Sequence, residues 1–260
     1  VEHSNIQIFI LSVLMAVAVV GRILSARGGK EIFVRRIPGL QAVDEAVGRA
    51  TEMGKPILFS PGLGDFSDPQ TFPALAALGY VARLAAKIGA RVIVAVFAPV
   101  VVPVAEDILK QAYTEAGKRD MYRDDDVRYL STGQDTYALA VTGIMEREKV
   151  AACFFFGGFG FEALILTETG QRLGAIQVAG TASYNQIPFF IASCDYTVIG
   201  EELFAAGAYL GREPTMLGSV IGQDYGKIIV LALIVVGVVV VSAFGTDAVD
   251  LLMKIVGTYQ

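Results

Sequence analysis

The chain has 260 residues, 54% of them hydrophobic, a mean hydropathy of +0.56 and a formal net charge of −5. That balance argues against a nucleic-acid binder, whose footprint is a basic patch. The only histidine is His3 and the only cysteines are Cys153 and Cys194, which argues against a conventional zinc site.

The apolar excess concentrates at the two ends. The run "IQIFILSVLMAVAVVGRIL" (6–24) is interrupted only by Gln7, Ser12 and Arg22. It approaches the roughly 20 apolar residues that a membrane-spanning helix needs. A cleaved signal peptide is the competing reading, but "VEHSN" lacks the basic start such a peptide carries.

Just past this run, Arg22, Arg27, Lys30, Arg35 and Arg36 cluster, a pattern suited to anionic lipid headgroups. "QAVDEAVGRATEMG" (41–54) then has helical spacing, with Ala42, Val43, Ala46, Val47 and Ala50 on one face. "PILF" (56–59) reads as a short buried strand. "TFPALAALGYVARLAAKIG" (71–89) reads as a helix with Pro73 in its first turn. "RVIVAVF" (91–97) is a strand, and "VPVAEDILKQAYTEAG" (102–117) a helix stopped by Gly117.

"RDMYRDDDVRYL" (119–130) reads as a charged, solvated loop entering a brief strand, and "QDTYALAVTGIMEREK" (134–149) as a helix. "AACFFF" (151–156) is an unbroken apolar strand, "FEALILTETG" (161–170) a helix and "GAIQVAG" (174–180) a strand. "SYNQIPFFIASC" (183–194) reads as a helix kinked at Pro188. "DYTVIG" (195–200) is a strand and "EELFAAGAYLG" (201–211) a helix. "IIVLALIVVGVVVVSAF" (228–244) is the second candidate span, flanked by Lys227, and a short tail (245–260) follows.

Short strands without polar alternation suggest burial on both faces. Alternating with helices, they predict a mostly parallel, three-layer, Rossmann-like α/β sheet flanked by two transmembrane helices. The expected organisation is a span at 1–24, an α/β domain at 25–227, a span at 228–244 and an outer tail. Twenty of the 21 Lys and Arg lie between the spans, Lys254 being the exception. The positive-inside rule then puts the domain in the cytoplasm of a two-span inner-membrane protein. In that reducing compartment the two cysteines read as small buried hydrophobes.

Ligands of such sheets bind at loops leaving the carboxyl ends of strands. Three of these are rich in small residues. "SPGLGDFSD" (60–68) supplies Gly62, Gly64 and Asp65. "GGFGFE" (157–162) supplies Gly157, Gly158, Gly160 and Glu162. "AGTAS" (179–183) supplies Gly180, Thr181 and Ser183. Glycine lets a backbone approach a ligand closely, and it equally makes a tight turn, so both readings stand. Neither a P-loop nor a complete dinucleotide fingerprint is present, because Ser67 stands where the third glycine of "GLGDFS" belongs. Glu162 and Asp65 would also repel a phosphate.

With no histidine in the domain, Ser–His–Asp and Cys–His catalysis is unavailable. Carboxylate or Ser–Lys chemistry is what remains, with Asp65, Glu106, Glu162, Glu168, Glu201 and Glu202 as candidate carboxylates. Glu162 and Ser183 are the first suspects. No motif indicates a cofactor or metal.

Several stretches resemble an uncharacterised bacterial family of membrane-anchored proteins, a domain of unknown function. They are "RRIPGLQAVDEAVGRATEMGKP" (35–56), "PGLGD" (61–65), "EREKVAA" (146–152), "TETG" (167–170), "GAIQVAGTA" (174–182) and "CDYTVIGEELFAAGAYLGREP" (194–214). The resemblance covers nearly the whole chain and implies a bacterial integral membrane protein, but no catalytic residue. A second likeness is one of layout only. "GAIQVAGTASYNQIPFFIASCDYTVIG" is similar to a run in the crotonase and Clp-protease superfamily, where Ser183 would sit near an oxyanion hole at a helix start.

Two functions follow as expectations. One is a membrane-anchored module that acts as an oligomeric scaffold, or as the ligand-sensing part of a membrane assembly. Its partners would be the bilayer and copies of itself or other membrane subunits. The other is a membrane-bound hydrolase or nucleotide-linked enzyme using loop carboxylates and serine.

Overall fold

The computed structural model describes residues 6–27, 38–211 and 214–244. The tail at 245–260, His3 and the basic residues Lys30, Arg35 and Arg36 lie outside them. The chain divides into two compact units, one of residues 34–212 and one made of the two ends, 1–33 and 213–260.

The larger unit holds six strands: β1 (Ile57–Ser60), β2 (Val92–Val96), β3 (Val127–Tyr129), β4 (Ala152–Phe156), β5 (Ile176–Thr181) and β6 (Tyr196–Ile199). All pairings are parallel and the order is β3-β2-β1-β4-β5-β6. This is the doubly wound order in which the chain reverses direction across the sheet between β1 and β4. The expectation of a parallel three-layer α/β sheet therefore holds.

Every residue of β1, β2, β4 and β5 is buried, and successive side chains go to opposite faces. Ile57, Phe59, Phe154 and Phe156 pack with residues of α2 (Pro38–Glu52), α3 (Thr71–Ile88), α4 (Val102–Glu115) and α8 (Glu201–Gly211). Leu58, Cys153 and Phe155 pack with α5 (Gln134–Glu148), α6 (Glu162–Leu173) and α7 (Ile187–Ser193). The three consecutive phenylalanines of β4 thus serve both layers. Phe156 stacks on Phe59 at 6.0 Å, while Phe155 meets Phe159 edge-on at 6.3 Å.

Two elements differ from the sequence reading. The helix expected over 183–194 begins only at Ile187, so Pro188 sits in its first turn and does not kink it. Proline lacks an N–H, and that is the place where none is needed. The "RDDD" run (123–126) is not wholly solvated: Asp126 is fully buried and its Oδ1 accepts from Arg91 Nε at 2.7 Å.

In the second unit, α1 (Ile6–Arg27) and α9 (Pro214–Phe244) pack antiparallel. Two α9 glycines make room for α1. A Cβ on Gly222 would lie 2.8 Å from Val19 Cα, and one on Gly226 would lie 2.5 Å from Met15 Cε. The Arg22 guanidinium lies 4.1 Å over the ring of Tyr225, a cation–π contact.

Among the described residues, one helical stretch, Ile221–Val239, is long and apolar enough to cross a membrane, where two were expected. It begins seven residues before the anticipated 228, because the helix runs on through Asp224 and Lys227, which pair at 3.4 Å. The apolar stretch within α1, Met15–Ser25, is shorter.

Candidate functional site

The strand order reverses between β1 and β4, and in α/β sheets of this order ligands bind at the carboxyl ends of the strands at that point. The three glycine-bearing loops converge on this edge, and the structure ties them together. Leu63 N donates to Gly158 O at 2.8 Å, joining the loop after β1 to the loop after β4. Gly157 N donates to Gly180 O at 2.8 Å, joining the latter to β5.

The third link comes from Gln70, which the sequence reading did not single out. Its Oε1 accepts from Ala182 N at 2.8 Å, and its Nε2 donates to Ser183 Oγ at 3.3 Å. One amide side chain thereby fastens the loop after β1 to the loop after β5. A glutamine between Pro69 and a helix start carries no local signal of this, since its partners lie more than 110 residues away.

The six glycines that the sequence pointed to on this edge face atoms of the same chain, whereas Gly200 after β6 faces open space. Gly62 has φ 83°, and an added Cβ would lie 2.5 Å from Gly158 O. Gly157 has φ 124°, with its open side against Pro61 O. Positive φ and backbone contact together exclude any other residue there without strain. Gly64 faces the Asp68 carboxylate, 2.7 Å from a built Cβ, and Gly158 faces the same carboxylate from the other side. Gly160 lies against the Gln134 amide. Gly180 lies within β5 and makes room for the Phe156 ring, 2.6 Å from a built Cβ.

The polar candidates are likewise engaged. Glu162 is fully buried at the start of α6. Its Oε1 accepts from Gly160 N at 2.7 Å and its Oε2 from the Gln134 amide. A carboxylate in a first helical turn also complements the helix dipole. Asp65 is exposed, and its Oδ1 accepts from Ser67 N at 2.8 Å and Ser67 Oγ at 2.6 Å. The Ser67 hydroxyl foremost holds the Asp65 carboxyl below its ordinary range. Thr181 is buried at the end of β5, and Ser183 N donates to its Oγ1 at 3.1 Å. Ser183 stands four residues before α7, so it does not occupy the helix start that the crotonase-like layout would give it.

Beneath the loops runs a buried hydroxyl chain. Tyr137 OH donates to Ala95 O at 2.9 Å, so Ser60 Oγ, 2.7 Å from that phenol, donates to it and in turn accepts from Gly62 N at 3.3 Å. Burial pushes the Tyr137 phenol far above its usual range. The chain ends on Gly62, the residue whose conformation sets the contact with Gly158.

At the opposite, amino edge the structure has open space. A cavity of about 320 Å³ is lined by Arg49, Gln171, Gln177, Ser193 and Asp195 among others, and one of about 280 Å³ by Lys55, Arg91 and Glu148 among others. Arg91 bridges Asp126 at 2.7 Å and Glu148 at 3.1 Å, and Arg128 joins Glu148 at 3.0 Å.

The chain belongs to the family "Domain of unknown function (DUF6754)", whose model matches residues 1–252. No curated protein and no solved structure matches it.

Proposed function

We propose that this chain is a membrane-anchored α/β module that works by assembly, with its larger unit on the cytoplasmic side. The observation that carries this reading is the occupancy of the carboxyl edge. Gly62, Gly64, Gly157, Gly158, Gly160 and Gly180 all turn their open sides to atoms of the chain itself. Where a dinucleotide-binding sheet leaves backbone N–H groups free for pyrophosphate, the loops after β1 and β4 bond to each other. Glu162 and Ser183 serve as struts between loops, which favours a scaffold over a hydrolase or nucleotide-linked enzyme.

Membrane anchoring rests on α9. Leu233, Ile234, Val235 and Val236 are consecutive and each more than half exposed, so the helix is apolar on every side. A protein groove covers one face of a helix, whereas lipid covers all of them. The glycine-lined contact with α1 resembles the close packing of helices in bilayers and supports α1 as a second membrane segment. The excess of Lys and Arg between the two helices supports the cytoplasmic placement.

Light scattering of the full chain in detergent tests the assembly. More than one chain per particle is expected, and a strictly single-chain particle would count against it. Glu162→Gln and Ser183→Ala test the enzymatic reading: both are expected to alter stability and no turnover.

A second reading, small-ligand sensing, draws on the two amino-edge cavities. Their volumes suit fragments of metabolite size.

A further inference from the structure

The segments at the carboxyl rim, loops plus the first turns of the helices they enter, cover 61–74, 97–105, 130–137, 157–165, 182–190 and 200–204. Not one Lys, Arg or His occurs in them, while Asp65, Asp68, Asp135, Glu201 and Glu202 do; Glu162 is also there but is fully buried against Gly160 and Gln134 and takes no part in the surface. Aromatic side chains stand out on the same rim. Phe72 is 54% exposed, Phe161 50% and Tyr184 87%, and Phe66 meets Phe72 at 5.9 Å. They come from all three bonded loops, next to Gln70, Gly160 and Ser183.

We infer that this rim is a docking surface for a basic polypeptide segment that also carries apolar side chains. The inference deepens the assembly reading and rests on it. Charge complementarity selects the occupant. Nucleotides, free phosphate and anionic headgroups meet no cationic side chain in these segments and are repelled by the carboxylates. A small organic ligand needs a concave site, and the loops meet backbone to backbone. Among the described residues no group of three His, Cys, Asp or Glu is placed to hold a metal ion. A cationic segment gains from the carboxylates and from cation–π contact with the rings, while its apolar side chains cover them. Aromatic residues are the usual anchors of protein interfaces.

The test uses the full chain in nanodiscs of zwitterionic lipid. The probe is a fluorescent peptide alternating Lys with Leu, compared with one alternating Glu with Leu. The Lys peptide should bind, weaken as salt is raised, and slow hydrogen exchange at 61–74 and 182–190. Asp135→Lys with Glu202→Lys, and separately Phe72→Ser with Tyr184→Ser, should each weaken binding about tenfold. These residues are exposed, so the fold is expected to survive; thermal unfolding of each variant checks it. Lys87→Glu makes the chain more acidic at the opposite edge and should leave binding unchanged.

Equal binding of the Glu peptide, wild-type affinity in both double variants, tighter binding by Lys87→Glu, or protection at the amino edge would each overturn the inference. So would particles that dissociate in the rim variants without loss of peptide binding, because the occupant would then be a second copy. The mass of the particle without peptide is read separately. A single-chain particle defeats the assembly reading, whereas failed peptide binding to a multimer defeats only the docking surface.

Discussion

The two edges of the sheet are built on opposite plans. The carboxyl rim is acidic and aromatic, and its loops are fastened by hydrogen bonds among backbone, hydroxyl, amide and carboxylate groups, with no cationic side chain among them. The amino edge carries both signs of charge, an Arg91–Asp126–Glu148–Arg128 network and open cavities. The difference teaches that glycine in a loop is no evidence of a vacancy. The edge richest in glycine is the one where the chain fills its own space.

The contrast can be broken at either edge. Arg91→Ala should have the largest effect, about 3–5 kcal/mol, because it strands the buried Asp126 carboxylate. Burial already raises the Asp126 pKa against the pull of Arg91, so the loss should shrink as pH falls and the carboxyl takes a proton. Thermal or urea unfolding of the full chain at pH 7 and pH 5 measures both. Gly62→Ala comes next, at about 2–4 kcal/mol, from its positive φ and the collision with Gly158 O. Hydrogen exchange would show the opening confined to the carboxyl loops.

Alkali should weaken the fold, in part through the amino edge. Burial raises Cys194 from 9.0 to about 12 and Tyr113, which donates to Ala90 O, from 10.0 to about 12. Both groups are neutral acids in the fold. Between pH 9 and 12 the unfolded chain loses protons that the folded chain keeps. Stability is therefore full below pH 9 and falls as pH rises, by about 1.4 kcal/mol per pH unit for each group. Urea midpoints between pH 8 and 11 check the slope, and Cys194→Ser should remove one share of the part that begins at pH 9, the other share belonging to Cys153, whose thiol burial also raises. The smallest effect should come from Tyr137→Phe, about 1 kcal/mol, since Ser60 Oγ and Ala95 O lose one partner. A far larger loss would mean that the loops hang on this phenol alone.

Much of this was legible in the sequence, and the reason is local. "CFFF" announces a strand buried on both faces because it has no polar residue to put outside. The convergence of the three loops on one edge followed from parallel strands alternating with helices. What escaped the sequence is what tertiary contact decides. Gln70 reaches residues 182 and 183, Tyr137 reaches residue 60, and Asp126 is buried only because Arg91 comes to meet it. "RDDD" looks solvated since nothing in the run itself reveals a partner 35 residues upstream. Pro188 was misread because both a helix interior and a first turn accept the same apolar neighbours.

The antiparallel contact of α1 with α9 makes the whole α/β unit a loop between two paired helices. Bringing Arg27 and Pro214 together across an unfolded connection would cost on the order of 4–5 kcal/mol of chain entropy. The helical pair must offset that closure by its own packing, so a side chain at Gly222, 2.8 Å from Val19 Cα, should loosen the two ends of the chain from each other.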